Sequence, residues 1–393
     1  MRQTAMNVLM SCFFAATLAS ADQPLDCTKQ SLADAVASVS EKSAVITFTG
    51  VCAGPVTIRA DGVTLQGIGG AIIDGGGEDA VSIAGAGRVS LADIEIRNGL
   101  HGIVAVNGAH VSLTDLNVHD NVVSGISLQT GSSAVLMDVT TAQNGLHGLD
   151  VQTGSAATVN GTLSATGNRV FGINVNGSSI TLSQATVAAS GNALGIQIGT
   201  NANAFIADSD SVINVNNNLA TGLTVVSGSH LVSFGGTINA SGNPGVGVSV
   251  NSKSGLDLDA GSTLNSVNNG DGVLLQQNSV MTVFNTPQFS GAQGFSTINA
   301  NQNARTGVRV LSDAVLTLVN QARIVSQQNG TLGFSADNGA GVTLVNSTIT
   351  GNTARDIQLT FGVRADLRTL TFGTYTCDAT ILVRGTSGIL CPN

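Results

Sequence analysis

Four of the five histidines fall between positions 101 and 147: His101, His110, His119 and His147. Around them stand Arg97, Asp120, Asp150 and Arg169. An imidazole titrates near neutrality, so one held beside carboxylates can move protons to and from a substrate. The catalytic candidates are His147, Asp150 and Asp120, with His101 or Arg169 near the substrate. The competing reading makes the same side chains polar turn residues that hydrogen-bond the scaffold. Zinc shared by His101 and His147 requires both rings to lean together across Ser124. Asp93, Asp115 and Asp138 recur at steps of 22 and 23 residues. Stacked carboxylates repel unless a cation, a proton or a donor intervenes, which makes calcium the metal candidate. The alternative is that these acids accept N–H groups at bends. His110 and His230 each follow a Gly-x turn at a strand start and read as structural.

The spacing of these residues comes from a repeat. Asn98-Gly-Leu-His-Gly-Ile103 returns as Asn121-Val-Val-Ser-Gly-Ile126, Asn144-Gly-Leu-His-Gly-Leu149 and Asn168-Arg-Val-Phe-Gly-Ile173, then shortened at Asn192 to Ile196. The glycine before the aliphatic residue falls at 102, 125, 148, 172 and 195, and fainter echoes continue at 222, 247, 272, 307 and 333. Each unit holds three short β-type runs divided by Gly, Asn, Ser and Asp turns. Ile126 and Leu128, like Leu149 and Val151, alternate with the polar Ser127, Gln129, Asp150 and Gln152, the pattern of a strand with one face buried. Three strands per unit of about 23 residues predict an all-β chain, a right-handed parallel β-helix solenoid. A left-handed β-helix needs a six-residue period that is missing, and a calcium β-roll needs a glycine-aspartate nonapeptide that occurs once, imperfectly, at Asp74 to Asp79. The Asn column, Asn98 to Asn192, should stack at one turn, with Asn taking the left-handed backbone and its amides bonding along the axis. Phe171, Phe205, Phe234 and Phe284 are expected to fill the interior.

Solenoid ends need covers. Ser31-Leu-Ala-Asp34 has a capping-box spacing, and Leu32, Ala35, Val36 and Val39 follow at helical intervals, so a short helix should close the first coil. Cys27 and Cys52 lie near one end and Cys377 and Cys391 near the other, which favours the pairings 27–52 and 377–391 over zinc, since no C-x-x-C occurs. Upstream, Arg2, the apolar run from Val8 to Leu18 and Ala19-Ser-Ala21 form a secretory signal pattern. The expected organisation is a signal peptide over 1–21, an N-terminal cap over 22–55, the solenoid over 56–376 and a C-terminal cap over 377–393.

The 393 residues include 15 Lys+Arg and 24 Asp+Glu, a net charge of −9, with no Trp and one Tyr. That balance excludes a nucleic-acid partner, which requires a basic footprint. No segment after the leader is apolar for long enough to insert in a membrane, so the expected location is secreted or periplasmic. Val63-Thr-Leu-Gln-Gly67 and Ile72-Ile-Asp-Gly75, followed by the Asn…Gly-aliphatic series, resemble the repeats of the pectate-lyase-like superfamily of right-handed parallel β-helices. The resemblance implies a polysaccharide or cell-surface glycan as partner. It also implies, for catalytic members, calcium-binding carboxylates and basic residues on one outer face. The outward positions of the first strands here are instead neutral: Val104, Val106, Ser127, Gln129, Gln152, Asn174, Asn176, Gln197, Thr224, Val226, Ser249 and Asn251, with Asp150 as the single carboxylate. The sequence therefore points to a secreted rigid module for surface contact, adhesion or glycan binding. The alternative is a polysaccharide lyase, C5-epimerase or glycoside hydrolase working through His147 and Asp150.

Overall fold

The computed structural model describes residues 23–39, 43–286, 294–385, 388, 389 and 391. The expected signal peptide lies outside them. One coil conveys the architecture. Ile103–Val106 is a first strand, left-handed Asn107 and Gly108 turn the chain, and His110–His119 follows as a strand bent at Asp115 (φ 50°). Left-handed Asp120 then leads into the next first strand, Ser124–Leu128. The three expected runs are present, with the second and third fused through the bend. In later coils the bend separates them, as in Asn203–Ile206 and Val212–Asn214.

First strands stack into a 14-stranded parallel sheet, one strand per coil, while the second and third runs form a 25-stranded sheet folded along the bends. The chain is thus the all-β parallel β-helix that the repeat predicts. Inward positions stay in register: Ile103 pairs with Ile126, Ile126 with Leu149, Leu149 with Ile173 and Ile173 with Ile196. All of them are buried, so each coil covers its apolar stripe with the stripes of its two neighbours.

At the N-terminal end a helix spans Leu32–Ala37. The Ser31 hydroxyl caps it by accepting the Asp34 N–H at 3.1 Å. Leu32 and Val36 point into the core, and the helix packs on the strand Val56–Ile58. Both expected disulfides are formed, Cys27–Cys52 and Cys377–Cys391. Strands Val45–Thr49 and Val51–Ala53 already pair in solenoid register with Thr64–Gly67 and Ile72–Asp74.

Two expectations need correction. Phe171, Phe234 and Phe284 are half-buried and Phe205 is exposed, so all four lie outside the barrel rather than within it. Strand parity decides this: Ala204 and Ile206 take the inward positions on either side of Phe205. The asparagines, for their part, do stack, but the left-handed residue is the one before each: Asp120, Gln143, Asn217 and Asn268 among them. Asn98 is itself left-handed and exposed, bonds Asp74 at 2.8 Å, and stands outside the stack.

Candidate functional site

Ten buried asparagines run the length of the turn: Asn121, 144, 168, 192, 218, 243, 269, 303, 329 and 352. Each Nδ2 donates to the Oδ1 of the next at 2.9–3.3 Å, and each of these oxygens also accepts a backbone N–H. Asp356 ends the series by accepting from Asn352 through both its backbone N–H (3.1 Å) and Nδ2 (2.9 Å). A ladder of donors pointing one way leaves its last donors unpaired, and a buried carboxylate is a strong acceptor for them. The repeat glycine follows from the same ladder. A Cβ on Gly125 would stand 2.8 Å from Asn144 Nδ2, and one on Gly148 would stand 2.8 Å from Asn168 Nδ2. The Asn-x-x-x-Gly signature is therefore architectural.

The outward side of the 14-stranded sheet carries the functional candidates. Val104, Ser127, Asp150, Asn174, Gln197, Thr224 and Ser249 pair in one continuous row. Although outward, Ser127, Asp150, Asn174 and Ser249 are buried, so the row is the floor of a furrow. Gln129, Gln152, Asn176 and Asn251 stand half-buried along one side. Gln129 donates to Ser127 Oγ at 2.9 Å and Gln197 donates to Asn174 Oδ1 at 3.1 Å, leaving a strip of amides and hydroxyls. Asp150, the only carboxylate in this stretch, accepts from Asn174 Nδ2 at 2.9 Å and from Gln152 Nε2.

The five predicted catalytic residues do not assemble into one site. His147 lies in the neighbouring row, paired with Ser124 and Phe171, its ring centroid 5.4 Å from that of Phe171. Its Nδ1 is buried without a hydrogen-bond partner, and so is Ser124 Oγ beside it. Burial pushes the His147 pKa below the usual imidazole value, while the charge of Asp150 acts the other way. His101 is held by Asp79, with Nδ1 to Oδ1 at 2.8 Å. Asp120 is engaged by His119 at 2.7 Å, and Arg169 is exposed. His101 and His147 share the row of Ser124, two coils apart, while Asp150, Asp120 and Arg169 stand on other lines, because each strand position and each turn is a separate line along the axis.

His119 belongs to a charged chain that the sequence reading missed. Its Nε2 is 3.3 Å from Glu95, Glu95 is 2.8 Å from Arg97, and Arg97 is 3.5 Å from Asp74. Register explains it, since His119 pairs with Arg97 and Arg97 with Asp74 on successive coils. The 22-residue interval from Arg97 to His119 was the available signal.

Asp93, Asp115 and Asp138 occupy the bend of the 25-stranded sheet with φ of 56°, 50° and 55°. Asp93 accepts from Gln66 Nε2 at 2.6 Å and Asp138 accepts the Thr162 N–H at 3.0 Å. Among the described residues, no three His, Cys, Asp or Glu side chains gather to hold a metal ion. The two remaining histidines are structural in their contacts: His110 bonds Ser133 at 2.6 Å and His230 bonds Asp257 at 3.0 Å.

No protein-family model matches the chain, and no curated protein matches it. Among solved structures, the A-module of mannuronan C-5 epimerase AlgE6 from Azotobacter vinelandii is similar at 14% identity. The match covers 90% of this chain and 93% of that one, with a TM-score of 0.48. The A-module of mannuronan C-5 epimerase AlgE4 from the same organism is 14% identical over 92% of this chain and 93% of that one, with a TM-score of 0.38. The Agl-KA catalytic domain is 12% identical over 94% of this chain and 69% of that one, with a TM-score of 0.29. By its own strand register, this chain is a parallel β-helix repeat protein.

Proposed function

We propose that the furrow of the 14-stranded sheet binds a neutral stretch of glycan and that the chain serves, without chemistry of its own, as a secreted rigid rod for surface contact. The carrying observation is the state of Asp150. The one carboxylate on the furrow floor is buried and accepts from two amides, and it makes no hydrogen bond to His147 among the described residues. Its oxygens are already taken up by those amide donors, whereas the surrounding amides and hydroxyls both donate and accept, as sugar hydroxyls require. The caps at 22–55 and 377–393 protect the rod's ends in this reading, and the disulfides suit an oxidising compartment. No helix among the described residues is long and apolar enough to cross a membrane.

One observation favours the enzymatic alternative: the unpartnered Nδ1 of His147, on a ring that burial keeps neutral, is available as a proton acceptor beside the furrow. Incubation with neutral and acidic polysaccharides, with and without calcium, separates the two readings by chain length and by the proton NMR signature of C5 configuration. The binding reading expects saturable retention and unchanged chain length, with affinity falling about tenfold in Asn174→Leu/Gln197→Leu, roughly 1.4 kcal/mol. Depolymerisation or epimerisation that disappears in His147→Ala and in Asp150→Asn would establish the enzyme instead.

A further inference from the structure

A second face of the rod carries exposed apolar side chains. The first half of the 25-stranded sheet, before the bend, carries most of the large apolar side chains exposed on strands. Met137, Phe205, Val280 and Val315 are 41%, 38%, 43% and 37% exposed. Phe205 and Phe234 meet edge-on on adjacent strands, with centroids 5.4 Å apart. Met137 lies three strand steps before Phe205 and Val280 two steps after Phe234, with Thr158, Thr181 and Asp257 between, so the aromatic pair is the apolar centre of a mixed face.

Beyond the His230–Asp257 pair beside the aromatic centre, the two ends of this face differ in charge. Toward the N-terminal end, an open groove of about 670 Å3 follows the bend and is lined by Asp93, Asp115 and Asp138, with Glu95 just past the bend and paired with Arg97. Toward the C-terminal end, a groove of about 600 Å3 is lined by Arg364 and Arg384 with Asp366, which Arg368 engages from two residues away at 2.5–2.9 Å. The two grooves are evenly placed. Asp93 lies five strand steps before the Phe205 strand. Arg364 and Arg368 share the strand five steps after that of Phe234. At about 4.8 Å per step, each charged end stands roughly 24 Å from the aromatic pair.

We infer that this face binds a second copy of the chain in an antiparallel, face-to-face dimer whose twofold axis passes between Phe205 and Phe234. A twofold parallel to the strands exchanges the two ends of the rod while keeping position along each strand. It sets the acidic bend of one copy against Arg368 and Arg384 of the other, twice. The same operation stacks the aromatic pairs at the centre. Eleven strand steps of about 4.8 Å by a strand width of roughly 15 Å give roughly 800 Å2 per partner, the size of an ordinary stable interface. The furrow lies on the other sheet, so the dimer presents two glycan surfaces outward.

Sedimentation velocity of the full chain tests this at ~0.05 M and ~0.5 M salt, where screening of exposed charge differs strongly. The expected result is a dimer whose Kd rises at least tenfold at high salt. Phe205→Glu should give a monomer, and Arg368→Glu/Arg384→Glu should weaken association at least tenfold. Combining the latter with Asp93→Arg/Asp115→Arg should restore it. All four charged side chains are exposed or half-buried, so this swap keeps the test informative if Phe205→Glu misfolds, which circular dichroism reports. A monomer at every concentration and salt overturns the inference. So does a dimer indifferent to both the Phe205 change and the charge reversals. Glycan retention by the furrow is measured separately and should not change in these variants.

Discussion

Two imidazoles show how position on the coil sets chemistry. His147 sits on an outward row against Phe171, where burial lowers its pKa below the ordinary 6.5. His230 lies on the other sheet with its ring close over Gly255, and its hydrogen bond to Asp257 raises the pKa above that value. Linkage then gives opposite signs. The contribution of His147 is complete above pH 6.5 and is lost as pH falls toward its lowered folded value. That of His230 is complete below pH 6.5 and is lost as pH rises through its raised folded value. Urea denaturation across roughly pH 5 to 8 should therefore show His147→Gln removing stability loss on the acid side. His230→Gln should remove it on the alkaline side. Each effect should be on the order of a few tenths of a kcal/mol, because half-exposed rings are screened by water. The sequence placed His147 and Asp150 in one coil correctly. It could not show that Asp150 would be claimed by Gln152 and Asn174, because that depends on side chains arriving from the same strand and from the next coil.

The element that holds the coils to one another is the asparagine ladder, and its first members were legible as a 23-residue column. Members beyond Asn192 were harder to see because the coils lengthen, with Asn269 and Asn303 lying 34 residues apart. Interrupting the ladder should be costly. Asn168→Ala removes the acceptor for both the backbone N–H and the Nδ2 of Asn144 and leaves those donors buried. A loss of about 2–4 kcal/mol is expected in denaturant titration. Asn98→Ala, outside the ladder and exposed, should cost less than about 1 kcal/mol. At the far end, Asp356→Ala should loosen the last coils by a comparable amount. Burial opposes the Asp356 charge, but hydrogen bonds from Asn352, Thr374 and Gly373 prevail and lower its pKa. Its contribution is therefore present above the ordinary carboxylate value of about 3.8 and disappears as pH falls through the lower folded value. Hydrogen exchange of residues 355–377 at acid pH reports that loss, and Asp356→Asn should remove its pH dependence.

At the scale of the whole molecule, stability is a sum over neighbouring coils, so damage at an end stays local. Cys27–Cys52 spans 25 residues and Cys377–Cys391 spans 14. Reduction should cost about 3 kcal/mol at each end, seen as early exchange of the terminal coils while the Asn121–Asn329 stretch remains protected. A single cooperative collapse on reduction would contradict this additive picture. The sequence by itself determined the solenoid, its N-terminal helix and its cross-links. Periodicity, the Asn-x-x-x-Gly interval and Cys position are local, and each coil repeats the same local solution. Only the tertiary structure decided which side chains share a row. Adjacent coils lie about 4.8 Å apart in space, yet the residues that meet across them are 18 to 35 positions apart in the chain. That is why His119, Glu95 and Arg97 became a chain while His147, Asp120 and Arg169 did not. The four phenylalanines expected inside the barrel line its outer faces by strand parity, and two of them stand at the centre of the proposed dimer.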